Sequence, residues 1–288
     1  MASIKKASFD SVAKPDWCPG CGLFGIQMAI KQALTELGLE PHKVFFVTGI
    51  GCGSKASHWV NAYGMHTLHG RSLPIATGAK LGNHSLTVID MGGDGDGYGI
   101  GIGHFMHTMR RNIDLLYMVN DNQIYGLTKG QASPTSEKGM KTKSTPFGVV
   151  ETPINPIALA INSGATFIAR GFAGDIVHLK WLIMEGIKHK GFSLIDIFQP
   201  CVTFNKINTY AYFQQRVYKL NDDPNYKTND REAAWKKAQE GGDKLPIGIF
   251  YQETREIEEE AEPQLLKQPL VYQDIKNVNI EPLMKKFV

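Results

Sequence analysis

The chain has 288 residues, is 42% hydrophobic and 20% charged, and carries a formal net charge of +3, the profile of an ordinary globular protein. So small a charge, with its lysines and arginines scattered, excludes a nucleic-acid or membrane-surface binder, and no apolar run approaches the ~20 residues of a bilayer span. The opening MASIKKASFDSVAKPDWCPGCG has no apolar signal core, so the expected compartment is the cytoplasm, where four cysteines read as metal ligands or redox groups rather than structural disulfides.

Residues 1–22 read as an irregular arm ending in DWCPGCG, which holds Cys18 and Cys21 as a C-x-x-C. Apolar residues at Leu23, Ile26, Met28, Ile30, Ala33, Leu34 and Leu37 predict a helix over 23–37, stopped by Gly38 and Pro41. VFFVT (44–48) is a short buried strand, and its exit loop GIGCGSK (49–55) carries Cys52 and Lys55. Thr67–Arg71 reads as loop, and Pro74 suits the first turn of a helix over 75–81.

Leu86–Met91 is an apolar run that ends in a glycine-rich loop holding Asp94 and Asp96. A glycine-spaced helix follows, from about Gly99 to Arg111, and then a second apolar run, Ile113–Val119, ending in Asn120-Asp121-Asn122. This is a βαβ unit with parallel strands and a right-handed crossover. Both loops leave carboxyl strand ends, where open α/β sheets bind ligands. If the strands are neighbours they lie about 5 Å apart.

Residues 125–153 form a long polar stretch, expected to be an ordered loop over the site. A helix over 156–163, a strand over 165–169, a helix over 175–189 capped by Asp175 and a strand over 193–198 follow. Past Cys201 the texture changes: polar helices over 210–219 and 231–240, an extra strand or packing arm over 245–251, and an acidic, solvated 253–262. This tail has no core of its own. The expected fold is α/β, a mainly parallel sheet with helices on both faces. A Cys-x-x-Cys arm (1–22) precedes the binding domain (23–205), and a C-terminal extension (206–288) packs on that domain or on a partner.

Thirty glycines cluster at 20–25, 49–53 and 92–103, where they let backbone approach a ligand or simply make tight turns. Asp94 sits between glycines, and Asn122 lies on the next strand end. One carboxylate, one amide oxygen and a carbonyl suit Mg²⁺ and leave room for a diphosphate, with glycine N–H groups and a helix start aimed at its oxygens. A Walker lysine is absent, and no acidic residue ends the next strand as dinucleotide sites require. Cys52 and Cys201 follow strands that end on the same rim. Four thiolates fit a tetrahedral Zn²⁺ or a [4Fe–4S] cluster, and spacing does not choose. A redox pair at Cys18 and Cys21 is a third reading, weakened because no strand precedes it.

Gly-Asp-Gly followed by Asn resembles the metal–diphosphate motif of thiamine diphosphate enzymes. That resemblance implies that Asp94, Asn122 and the Ile124 carbonyl hold Mg²⁺, and that Gly93, Gly95, Asp96, Gly126 and Leu127 line the cofactor. A thiamine site favours iron–sulfur over zinc, because only a cluster takes up the electrons of a decarboxylated substrate.

The segments DWCPGCG (16–22), GIGCGSK (49–55), HGR (69–71), GDGDG (93–97), NDNQIYGLTKGQASPT (120–135) and QPCVTFN (199–205) together resemble the β-type, thiamine-binding subunit of the 2-oxoacid:ferredoxin oxidoreductases. The resemblance covers almost the whole chain, with no departure at a motif position. It implies that Cys18, Cys21, Cys52 and Cys201 ligate a [4Fe–4S] cluster, and that Ile50, Gly51, Cys52, Gly53 and His69 surround thiamine with Asn122.

It also makes His69, Lys55 and Arg71 candidate catalytic groups. Their plainer readings are a loop-packing histidine, an exposed lysine and a structural ion pair. An α-type subunit would supply the glutamate that activates thiamine and most of the coenzyme A site, in an αβ or (αβ)₂ complex that reduces ferredoxin. The substrate expected first is 2-oxoglutarate, then pyruvate or a range of 2-oxoacids. The rivals are a non-oxidative thiamine-dependent decarboxylase or lyase subunit with zinc, and a non-enzymatic iron–sulfur electron-transfer protein.

Overall fold

A computed structural model describes residues 9–276 and 278–287. The first eight residues of the expected arm therefore lie outside the described part. The first elements are helix α1 (Leu23–Glu36), strand β1 (Val44–Thr48), strand β2 (Tyr63–His66), helix α2 (Ser72–Gly82), strand β3 (Thr87–Gly93), helix α3 (Ile102–Arg111) and strand β4 (Leu116–Asp121). Helix α4 (Pro156–Ser163), strand β5 (Phe167–Phe172), helix α5 (Ile176–Lys188) and strand β6 (Ser193–Phe198) complete the α/β pattern. The extension adds helix α6 (Tyr210–Gln214), strand β7 (Val217–Lys219), helix α7 (Arg231–Ala238) and strand β8 (Leu245–Gln252).

All eight strands join one sheet in the order β2-β1-β3-β4-β6-β5-β8-β7. Every pairing is parallel except β5 with β8. Successive strand residues face opposite sides, and both sides are apolar. Phe46, Ile89, Met118 and Ile195 pack with Ile26, Ile30 and Leu34 of α1 and Leu179, Leu182 and Ile183 of α5. Val47, Val88, Tyr117 and Leu194 pack on the other side with Phe105 and Met109 of α3, Ile157 and Ile161 of α4, and Ala234 and Ala238 of α7. A sheet covered on both faces needs uninterrupted apolar strands, which is why VFFVT and SLIDIF carry so few polar side chains.

The differences from the sequence-based expectation have local causes. β2 was not expected, since its four residues are all exposed and too few to show a period. α2 starts at Ser72, so Pro74 sits inside its first turn. A π-helical turn over Gly95–Ile100 brings the helical start forward to Asp94, five residues before Gly99. β4 reaches Asp121, so Asn120 and Asp121 belong to the strand rather than the loop. β5 runs on through Arg170, whose charge pairs in the core with Asp196 of β6 at 2.8 Å. Residues 210–219 are not one helix: α6 ends at Gln214, and Val217–Lys219 pairs with β8 instead. Within the extension, the chain up to Gln252 therefore widens the sheet.

β3 and β4 are neighbours, with Gly93 opposite Asn120. β1 flanks β3 and β6 flanks β4. The exit loops carrying Cys52, Asp94, Asn122 and Cys201 thus leave four adjacent strands, the position where a doubly wound sheet opens a ligand crevice.

Candidate active site

The π-helical turn puts Asp94 at a helix start, buried at 2% exposure. Gly93 before it has open space where a Cβ would stand, and Gly51 opposite is equally open at φ +130. A cavity of about 80 Å³ opens here. Ile50, Gly51, Cys52, Gly53 and His69 wall one side. Gly93, Asp94, Gly95 and Asp96 form its floor, and Asn122, Ile124, Gly126 and Leu127 close the other side. The structure therefore brings together every residue expected near the thiamine and the metal.

Among the described residues no cation pairs with Asp94. Its Oδ2 accepts from the Thr135 hydroxyl at 2.7 Å, and Thr135 lies equally 2.7 Å from Asp121 Oδ1. A threonine hydroxyl has one proton to give, so both contacts are hydrogen bonds only when one acid is protonated. Burial pushes both carboxyls up, Asp94 to about 6, with the Ser133 and Thr135 hydroxyls opposing the rise at Asp94. Asn122 accepts from the Ile124 N–H at 3.1 Å and donates to Gln199 at 3.0 Å. The buried Asn120 Oδ1 and Gln123 Oε1 have no hydrogen-bond partner among the described residues. A buried carboxylate without a cation, an open glycine floor and unpaired buried oxygens fit a divalent metal with a diphosphate.

Asp96 is tied differently. Its Oδ1 accepts from Ile50 N–H at 2.9 Å, Gly70 N–H at 2.8 Å and His69 Nδ1 at 2.8 Å. His69 is 38% exposed and borders the cavity edge-on to Tyr125. Lys55 and Arg71 stand outside this cavity. Lys55 pairs with Asp16 at 3.0 Å beside the cysteines, and Arg71 bonds the Gly70 carbonyl at 3.1 Å.

All four cysteines are unpaired and line a second cavity of about 240 Å³, many times the ~10–15 Å³ that one water needs. Among the described residues no three His, Cys, Asp or Glu side chains gather to hold one metal ion; the thiols surround a space instead. Burial pushes the Cys21 thiol up to about 12, and the nearby Cys201, Cys52 and Cys18 add to the rise. Such a thiol stays protonated near neutral pH, and it must lose that proton to ligate a metal. Gln199 Nε2 approaches Cys21 Sγ at 3.4 Å. Trp17 donates to the Cys52 carbonyl at 2.7 Å and packs edge-on against Trp59 and Phe24, seating the arm. A large cavity ringed by thiols fits a polynuclear sulfur-ligated group better than one ion.

The two cavities share Cys52, Asn122, Gly126 and Leu127 as a common wall. Gly126 is the thin point: a Cβ there would lie 3.3 Å from Cys201 Sγ and 3.9 Å from Cys52 Sγ. Residues missed by sequence reasoning are Asn120, Asp121, Tyr125, Thr135, Gln199 and Trp17. Asn120 and Asp121 stood beside Asn122, but only the structure shows that both are buried, at the end of β4. Thr135 lies 41 residues from Asp94, with no local signal.

Residues 45–197 match the family model described as thiamine pyrophosphate enzyme, C-terminal TPP binding domain, so the larger cavity-bearing part has the fold of that class. Residues 201–266 match the family model for the C-terminal part of the pyruvate ferredoxin oxidoreductase beta chain. The 2-oxoacid:ferredoxin oxidoreductase subunit beta of Saccharolobus solfataricus is 54% identical over 248 residues, covering 82% of this chain and 81% of that protein. The corresponding 2-oxoacid:ferredoxin oxidoreductase 1, subunit beta, of Aeropyrum pernix is 47% identical over 260 residues, 87% and 82% of the two chains. A solved structure of the 2-oxoglutarate:ferredoxin oxidoreductase from Magnetococcus marinus with 2-oxoglutarate, coenzyme A and succinyl-CoA bound superposes with TM-score 0.92 at 36% identity, covering 99% of this chain and 97% of that one. The chain belongs to the 2-oxoacid:ferredoxin oxidoreductase family, as a β subunit.

Proposed function

We propose that this β subunit, with an α-type partner, carries out the coenzyme A-dependent oxidative decarboxylation of a 2-oxoacid to an acyl-CoA and carbon dioxide. Electrons leave through a [4Fe–4S] cluster on Cys18, Cys21, Cys52 and Cys201 to ferredoxin. The observation that carries this reading is the shared wall: Cys52 borders both the glycine-floored cavity and the thiol-ringed one. When bound, thiamine diphosphate stabilises the charge left on carbon by loss of carbon dioxide, and a cluster accepts electrons singly. Asp94, Asn122 and the Ile124 carbonyl would hold Mg²⁺, and the glycine floor would take the diphosphate.

The chain's own groups supply position and exclusion. The 125–153 loop delivers Thr135 to Asp94 and Tyr125 over Gly95, closing the floor. His69 borders the reacting end. Leu68, Ile100 and Leu127 are exposed apolar side chains around it, as a rim covered by a partner chain requires. Among substrates, 2-oxoglutarate is favoured, with pyruvate or a range of 2-oxoacids next. The binding domain (23–205), its 1–22 arm and the 206–288 extension are proposed to act as one unit against that partner.

The test is to purify the chain anaerobically with its co-purifying partner and follow methyl viologen reduction with several 2-oxoacids and coenzyme A. Brown protein that reduces the dye only with both substrates is the expected result. Colourless protein with stoichiometric zinc sinks the reading.

A further inference from the structure

Asp96 lines the thiamine-type cavity, yet none of its side chain is exposed. Three donors converge on Oδ1, at 2.8–2.9 Å: the N–H groups of Ile50 and Gly70 and the Nδ1 of His69. Oδ2 is buried without a hydrogen-bond partner among the described residues, pressed into a seat that only glycines leave open. A Cβ on Gly49 would fall 1.8 Å from Oδ2, and one on Gly92 2.9 Å from it. The HGR turn is pinned as well: Gly70 has φ +66, and a Cβ there would strike Gly101 N at 2.6 Å. The seat thus holds the carboxylate, and the carboxylate holds the histidine.

This geometry decides a tautomer. An oxygen that already takes two backbone N–H bonds accepts a third only if the imidazole brings the proton. Nδ1 therefore carries hydrogen, and in the neutral ring Nε2 is the nitrogen that keeps a lone pair. With Nδ1 anchored at Asp96, Nε2 lies on the opposite edge of a ring that borders the cavity. No hydrogen bond to Nε2 is made among the described residues.

We propose that Asp96 is the positioning residue for His69, and that it presents the Nε2 lone pair to the cavity as the proton-accepting atom of the site. This assignment rests on the reading of the cavity as the thiamine site. It takes the Asp96 side chain out of the set of direct cofactor contacts and gives it a role through another residue. The proton that Nε2 accepts belongs to whatever acid stands in the cavity, such as a substrate thiol or a hydroxyl; the imidazolium so formed keeps its Nδ1–H on Asp96.

Asp96→Asn tests the assignment, because the amide oxygen can keep the three hydrogen bonds made at Oδ1 but removes the negative charge that favours a proton on His69. The ring then keeps its place, but Nε2 accepts a proton less readily. In the complex with the α partner, Asp96→Asn and His69→Gln each lower kcat about 10²-fold or more, with the KM for the 2-oxoacid unchanged. The double variant is no slower than His69→Gln alone, and thiamine binding (by fluorescence quenching) and iron content match the wild type. Additive losses in the double variant, or lost thiamine binding in Asp96→Asn, overturn the proposal. A second readout needs no turnover. Diethylpyrocarbonate acylates a free imidazole nitrogen, and peptide mass analysis follows it at His69. The rate falls several-fold in Asp96→Asn, and thiamine diphosphate with Mg²⁺ protects His69 in the wild type; equal rates in the two proteins overturn the assignment. A wild-type complex that reduces no dye defeats the oxidoreductase reading and leaves this arm standing.

Discussion

The ring of Tyr125 fills the volume that a side chain on Gly95 would need: a Cβ there would fall 2.1 Å from Cε1. The tyrosine hydroxyl in turn donates to the Gly95 carbonyl at 3.1 Å. Gly95→Ala must therefore push the loop strand outward, at about 1–3 kcal/mol, and open the diphosphate floor. Thermal unfolding and thiamine titration should both show the loss, and adding Tyr125→Ala should recover stability. A Gly95→Ala variant with wild-type stability and affinity contradicts this packing.

Asp94→Ala removes the buried carboxylate on the cavity floor that would hold the metal. Thiamine diphosphate and Mg²⁺ should no longer be retained on gel filtration, while iron stays with the protein, because the cysteine cavity does not include Asp94. Iron and thiamine lost together would mean that Asp94 serves the fold rather than the cofactor. Unchanged activity in the reconstituted complex would reject the metal assignment.

Cys201→Ser gives the complementary result. Its sulfur borders Gly126 on the wall between the two cavities. The variant should lose iron and visible colour, retain thiamine, and fail to reduce viologen. Full iron occupancy in this variant argues against a four-thiolate cluster.

His178 makes the protein sensitive to acid. Its ring is buried against Trp181, and both ring nitrogens lack partners among the described residues. Burial, aided by Lys219 and opposed by Asp175 and Asp222, pulls it down from 6.5 to about 4. The unfolded chain takes up the proton first, so stability is full above 6.5 and falls as pH drops from there toward 4, by up to about 1.4 kcal/mol per unit. His178→Leu should flatten that acid limb in melting curves taken between pH 7 and 5. A limb of the same steepness in the variant removes His178 as its cause.

The strands that matter most were legible because a sheet buried on both faces writes largely apolar runs, as in VFFVT and, Asp196 apart, SLIDIF. The four chemical loops were legible for a related reason, since glycines, Asp94, Asn122 and the cysteines stand where those runs stop. What stayed hidden depends on distance in sequence. Thr135 reaches Asp94 only because the loop from 125 folds back, and Asp96 reads as a cofactor contact until the donors from Ile50 and Gly70 are seen. β7 was lost because pairing with β8 overrides the helical pattern of 210–219. β2 was lost because an exposed edge carries no period.

That edge has a practical consequence. β2 leaves one flank of the sheet unpaired, with Tyr63 and Met65 exposed. The far end of the chain adds Leu266, Val271, Tyr272, Ile275, Leu283 and Met284, all largely uncovered. An open strand edge invites self-association. Overproduced on its own, the polypeptide should precipitate or form high-mass aggregates as its concentration rises. Co-expression with the α-type chain should keep it dispersed, so colloidal behaviour offers an early sign that the right companion has been found.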